Sequence, residues 1–127
     1  MIVLDASVLI GHLDGSDAHH AAAQALIEDS GAVPLGASAI SLAETLVAPA
    51  RAKRLDEAQA ALERLGVIEL ELGAGAPAEL ARLRAGTGRK LPDCCVLLAA
   101  QEHDGAIATF DQDLAQTAAE AGIEVVA

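Results

Sequence analysis

Five short strand-like runs, separated by segments of helical periodicity, constrain this chain more than any other feature. Ile2-Val3-Leu4, Val33-Pro34-Leu35-Gly36, Val67 to Leu72, Ala106-Ile107-Ala108-Thr109 and Glu124-Val125-Val126 read as strands. Helices are expected between them: about 18–29, from a Ser38 or Ser41 cap to about Pro49, 53–65, about 77–85, Cys94 to Ala100 behind Pro92-Asp93, and 111–121. Gly31, Gly66 and Gly86-Thr87-Gly88 are the breakers. On the second helix, Ile40, Ala43 and Val47 define one apolar side. Parallel strands need long crossovers, and helices of this length fill them. The expectation is an α/β fold with helices on both faces of a parallel sheet.

The 127 residues suit one domain spanning 1–127. The two cysteines, Cys94 and Cys95, are neighbours and cannot form a disulfide framework. Their helical setting favours core thiols over chemistry. No run approaches the ~18 to 20 apolar residues of a membrane span. The first five residues lack the basic start of a signal peptide. A cytoplasmic protein with no membrane partner is expected.

Charge is divided along the chain. The net charge is −11, yet all eight Lys and Arg residues lie between 51 and 90. That segment holds six acids and nets +2, whereas residues 1–50 net −6 and residues 91–127 net −7. An acidic pocket beside a basic rim is one outcome of this pattern, and a solvated helix face is the other.

The acids carry the chemistry. Asp5 follows the first strand, Asp111 follows the fourth, Asp93 opens a helix, and Glu44 sits inside one near the edge of its apolar stripe. Ligands of open parallel sheets bind outside the carboxyl ends of the strands. Asp5, Asp93 and Asp111 each have an ordinary explanation as helix N-caps or first-turn acids. Glu44 caps nothing. Two carboxylates about 5 Å apart repel by about 3 kcal/mol at an effective dielectric near ~20. Four together must protonate in part or share a cation. Oxygen-only ligands point to Mg²⁺ or Mn²⁺, which activate water and steady phosphoryl displacement. The physical reading is a metal-dependent phosphoester hydrolase.

Four segments then resemble a family: Met1-Ile-Val-Leu-Asp5-Ala-Ser7, Ser41-Leu-Ala-Glu44, Leu91-Pro-Asp93, and Thr109-Phe-Asp111-Gln-Asp113-Leu114. In order and spacing they are similar to PIN-domain ribonucleases, and to the VapC-type toxins of bacterial toxin–antitoxin pairs, over essentially the whole chain. The resemblance implies a three-layer α/β/α domain with a parallel sheet of four to five strands. It implies a homodimer, Mg²⁺- or Mn²⁺-dependent endonucleolytic cleavage of RNA, and a cognate antitoxin that fills or blocks the acidic pocket. Asp5, Glu44, Asp93 and Asp111 match the family's acidic quartet, as catalytic and metal-holding residues. Ser7 and Thr109 match its supporting hydroxyls, and Asp113 is an outer partner or substitute for Asp111.

Other classes fit less well. A receiver domain needs paired acids after the first strand and a late Lys, but Asp5 stands alone and no Lys follows Lys90. A haloacid-dehalogenase-like phosphatase needs an acid at position 7, which is Ser7. An inactive PIN-like binding protein would be expected to lack a member of the quartet. His19 and His20 precede the first amphipathic helix, where packing or surface placement is expected, and His12 and His103 are isolated. No Ser-His-Asp order and no Gly-rich phosphate loop is present, which leaves metal-activated water as the expected nucleophile. Phe110 is the only aromatic residue, so stacking platforms for bases are nearly absent. Phosphate contacts fall to Arg51, Lys53, Arg54, Arg89 and Lys90, which position RNA without reading its sequence.

Overall fold

The computed structural model describes residues 1–126 as five parallel strands and seven helices. The strands are β1 (Ile2–Leu4), β2 (Leu35–Ser38), β3 (Ile68–Leu70), β4 (Ala106–Ala108) and β5 (Val125–Val126), in the order β3-β2-β1-β4-β5. The helices are α1 (Ala6–Leu13), α2 (His20–Asp29), α3 (Ala39–Arg51), α4 (Leu55–Leu65), α5 (Ala76–Thr87), α6 (Leu91–Glu102) and α7 (Gln112–Glu120). Among the described residues, no helix is long and apolar enough to cross a membrane.

Strand alternation divides the core. Ile2 and Leu4 pack with Val8, Leu9, Ala23, Leu26 and Leu62 on one face of the sheet. Val3 packs with Leu70, Val96, Leu97, Ile107 and Leu114 on the other. Helices α1 to α4 therefore cover one face and α5 to α7 the other, which makes three layers. The chain leaves β1 towards β2 and later returns across the sheet to β4. The direction of winding reverses between β1 and β4, and that crevice is where an open α/β sheet binds ligands.

Four expectations need correction. Helix α1 is not announced by the sequence, because its apolar residues follow β1 without a breaker and no side chain caps it. Gly11 lets α2 lie close on it, since a Cβ there would meet the Ala23 Cβ at 3.3 Å and the His19 carbonyl oxygen at 3.4 Å. The apolar side of α3 points the other way: Ile40 and Val47 are each 45% exposed, while Ser41 and Thr45 are buried. Those hydroxyls tolerate burial because Thr45 Oγ1 donates to the Ser41 carbonyl and Ser38 Oγ to Ser41 Oγ. Finally, β2 begins at Leu35 rather than Val33, and Pro34 serves only as an acceptor, through its carbonyl, from the Ile2 amide. Helix α5 also runs through Gly86 and Thr87, stopping at Gly88 with φ 72°.

Cys94 and Cys95 are free and buried in α6, as expected of core thiols. Gly36 is the most closely approached of the glycines, because a Cβ there would fall 2.7 Å from Leu70 Cδ1. Gly36→Ala is therefore expected to cost about 1–3 kcal/mol by overpacking. The same change in a Leu70→Ala background should cost far less, as read by denaturant unfolding. Equal costs in the two backgrounds would contradict the packing described.

Candidate active site

Asp5 is the fixed point of the β1–β4 crevice. It lies in the N-cap position of α1 but makes no capping bond with its side chain. It is 8% exposed, and its Oδ2 instead accepts from Ser7 Oγ at 2.9 Å and from Thr109 Oγ1 at 2.7 Å. Each hydroxyl is itself oriented by a backbone amide: Phe110 N donates to Ser7 Oγ and Asp111 N to Thr109 Oγ1, both at 3.0 Å. Two amides just after β4 thus fix two hydroxyls that clamp one carboxylate just after β1. Asp5 Oδ1 makes no hydrogen bond among the described residues. One oxygen is held and the other is available.

Glu44, Asp93 and Asp111 line one cavity of about 550 Å³, together with Arg84, Gly88, Arg89, Lys90 and Pro92. The Glu44 carboxyl is raised above its ordinary value by desolvation first, then by Asp5 and Asp93. Asp93 is also raised, by desolvation, Asp5 and Asp111, against the lowering pull of Arg89 and Lys90. Asp5 therefore acts on both Glu44 and Asp93, and Asp111 on Asp93, across the same edge of the sheet. The capping explanation holds for Asp111 alone, whose Oδ1 accepts from Asp113 N and Leu114 N at the start of α7. Asp93 is not the N-cap of α6, which is Lys90, but it is an acid of that helix's first turn, so this ordinary explanation holds for it beside its place in the cavity.

These acids do not form a closed cage. Among the described residues no three His, Cys, Asp or Glu side chains are grouped tightly enough to hold a metal ion by themselves. The donor chemistry suits a hard divalent cation that keeps several waters and takes only one or two carboxylates directly, which is how Mg²⁺ is usually held.

The basic residues separate into two groups. Arg89 and Lys90 border the acidic cavity, and Arg89 Nη1 lies 4.0 Å from the exposed Asp113, which does not line the cavity. Arg51 and Lys53 do not line it either, and Arg54 is paired with Glu57 at 2.9 Å. Arg84 is a cavity residue that sequence reasoning missed. Its guanidinium donates to the Gly88 and Arg89 carbonyls at 3.0 and 2.9 Å, which holds the Arg89-Lys90 turn in place. The available signal was its position in the last helical turn, four residues before the glycine that ends α5. Among the histidines, His12 is lowered by burial and then by His20, its Nδ1 has no partner, and it does not reach the cavity.

A family model of the PIN domain matches residues 2–120. No curated protein matches the chain. Among solved structures, a toxin–antitoxin complex from Klebsiella pneumoniae is similar with a TM-score of 0.78 at 23% identity, covering 100% of this chain and 97% of that one. VapC20 of Mycobacterium tuberculosis, a sarcin–ricin loop cleaving toxin, is similar with a TM-score of 0.74 at 21% identity, covering 92% and 95%. FitAcB from Neisseria gonorrhoeae has a TM-score of 0.69 at 21% identity, covering 100% and 97%. At these identities the likeness speaks for the fold.

The raised carboxyls fix the sign of a stability effect. A group whose folded value lies above its unfolded value opposes folding when ionised, and that opposition is relieved as pH falls through the raised range. Glu44→Gln should therefore melt higher than the parent at neutral pH without added metal, by up to about 1 kcal/mol after solvent screening. The gain should shrink on acidification and disappear where Glu44 is protonated in both states. A gain that persists at acid pH would contradict the charge origin.

Proposed function

Because the chain belongs to the PIN-domain family, we propose that it is a metal-dependent endoribonuclease of the VapC toxin type, held inactive by a cognate antitoxin. The observation that carries this reading is the clamped Asp5 beside a cavity in which two further carboxyls are raised and which three cations, Arg84, Arg89 and Lys90, also line. Asp5, Glu44, Asp93 and Asp111 would hold Mg²⁺ or Mn²⁺. When bound, such an ion neutralises phosphate charge and makes water a competent nucleophile at neutral pH.

The chain's own residues do the rest. Ser7 and Thr109 keep Oδ2 of Asp5 occupied, so that its Oδ1 is aimed without side-chain freedom. Arg89 and Lys90 hold the RNA backbone next to carboxylates that would otherwise repel it. Arg84 positions both through the turn it braces. No histidine borders the cavity, so the histidines offer no general base to the attacking water.

An antitoxin fits beside this site. A groove between α1, α3 and α4 is lined by Ile10, Leu13, Ala48, Pro49 and Ala61, and Glu44 lines both it and the acidic cavity. A partner helix with an apolar stripe could lie in the groove and extend an Arg or Lys past Glu44, where a cation relieves the carboxylate repulsion. A second copy of the chain belongs to the same reading, with exposed Ile40 and Val47 as the apolar residues on α3 available to it. The cytoplasm, where RNA is available, is the proposed location.

The test is Asp5→Asn. The amide keeps one oxygen for the two hydroxyl donors and removes one repelling charge, so the variant should fold and melt at or above the parent temperature. Protein freed of antitoxin should cleave RNA only with Mg²⁺ or Mn²⁺, and the variant should not cleave it. A folded variant that cuts RNA as well as the parent would overturn the reading.

A further inference from the structure

The loop between α1 and α2 lays a second ring on Phe110, the residue that precedes the cavity residue Asp111. The His19 imidazole lies on Phe110 with ring centroids 4.6 Å apart and an interplanar angle of 15°. Phe110 is only one residue from the cavity residue Asp111, and its amide donates to Ser7 Oγ, which in turn donates to Asp5. Its ring is half-buried and packs against the core beneath α1 and α2, so His19 lies over a supported surface while itself remaining exposed. A face-to-face pair with one outer face open is the arrangement on which a further flat ring stacks.

The loop is built, not merely draped. Asp14 Oδ1 accepts from the Ser16 amide and hydroxyl at 2.9 and 2.7 Å, and Asp17 Oδ1 accepts from the His19 amide at 2.8 Å. His20 Nδ1 and the Gly11 carbonyl oxygen lie 2.8 Å apart, and the missing side chain of Gly11 leaves room for the His19 backbone. The imidazole is thus carried by a loop tied down on both sides.

Its charge selects the ligand. Asp14 is held below its ordinary carboxyl value chiefly by the Ser16 hydroxyl and amide, and Asp17 lies beside His19. An anionic loop repels phosphate, so an aromatic face among these acids suits a base and not the backbone that carries it. Arg84 approaches the cavity from α5 and Arg89 and Lys90 from the turn between α5 and α6, on the opposite face of the sheet. Backbone contacts and a base contact would then flank Asp111 from two sides.

We propose that the outer face of His19, backed by Phe110, is a stacking site for one unpaired nucleobase of the RNA near the scissile phosphate. The inference rests on the ribonuclease reading above. Base–aromatic stacking is worth about 1–3 kcal/mol per base, or roughly 5- to 150-fold in affinity.

His19→Ala should raise KM for a cleaved single-stranded RNA by about tenfold or more and leave kcat within about twofold. His19→Phe should restore KM, because it keeps the ring. A fluorescent 2-aminopurine moved through the same RNA should be quenched at one position by the parent and by His19→Phe, but not by His19→Ala. If the stack serves only to anchor the loop, His19→Ala will lower the melting temperature with KM unchanged, and the proposal is overturned. Failure of His19→Phe to rescue KM overturns it equally. RNA cut with a KM indifferent to His19 removes this site alone, whereas a parent protein that neither binds nor cuts any RNA removes the ribonuclease reading with it.

Discussion

The contact on which the site depends is the double hydroxyl clamp on Asp5. A carboxylate that is only 8% exposed is costly to keep unless its oxygens find donors. Here both donors are recruited from the fold itself. Thr109 directly follows β4 and Ser7 lies in the first turn of α1, and each hydroxyl is aligned by a backbone amide of the 110–111 segment. Loss of either hydroxyl would leave an oriented amide without its acceptor as well as a less constrained carboxylate. The clamp also links strands that are neighbours in space but far apart in sequence, at the point where the winding of the sheet reverses.

Around this fixed charge the structure tolerates repulsion. Glu44 and Asp93 are raised by desolvation and by their acidic neighbours, and Arg89 and Lys90 offset part of that for Asp93. Such tension has no use in a purely structural pocket, where a neutral side chain would serve better. It is useful where a cation, a phosphate or a partner's basic side chain is to be drawn in, because each relieves what the fold leaves unbalanced. Stability and proposed function therefore pull in opposite directions at these positions.

Much of this was legible in the sequence because strand ends and breakers are local signals. Gly66 and Gly88, with φ 75° and 72°, end their helices as glycines do, and all five strands fall within two residues of their expected places. Helix α1 was hidden because only Asp5 separates it from β1, with no glycine or proline to mark where strand ends and helix begins. The face of α3 was misread because its two buried hydroxyls find local partners, Ser41 Oγ in Ser38 Oγ and Thr45 Oγ1 in the Ser41 carbonyl, whereas a hydropathy pattern counts them as polar and hence exterior. That Glu44, Asp93 and Asp111 would share one cavity, with Asp5 beside it, could be read from position. Their geometry could not, since whether Asp111 caps α7 or Asp93 caps α6 depends on hydrogen bonds that composition does not encode. His19 and Phe110 meet only through the tertiary fold, so a single aromatic residue in the sequence gave no hint of a two-ring surface.

The central claim is that the clamped Asp5 and its acidic neighbours act together on one divalent cation. The most direct measurement is a Mn²⁺ titration of the antitoxin-free protein, followed by calorimetry or by the signal of free Mn²⁺, for the parent and for a Thr109→Val, Ser7→Ala double variant. The account predicts saturable binding by the parent and clearly weaker binding once the clamp is removed, with the fold retained. Equal affinity in both proteins, or no saturable binding by the parent, would contradict it.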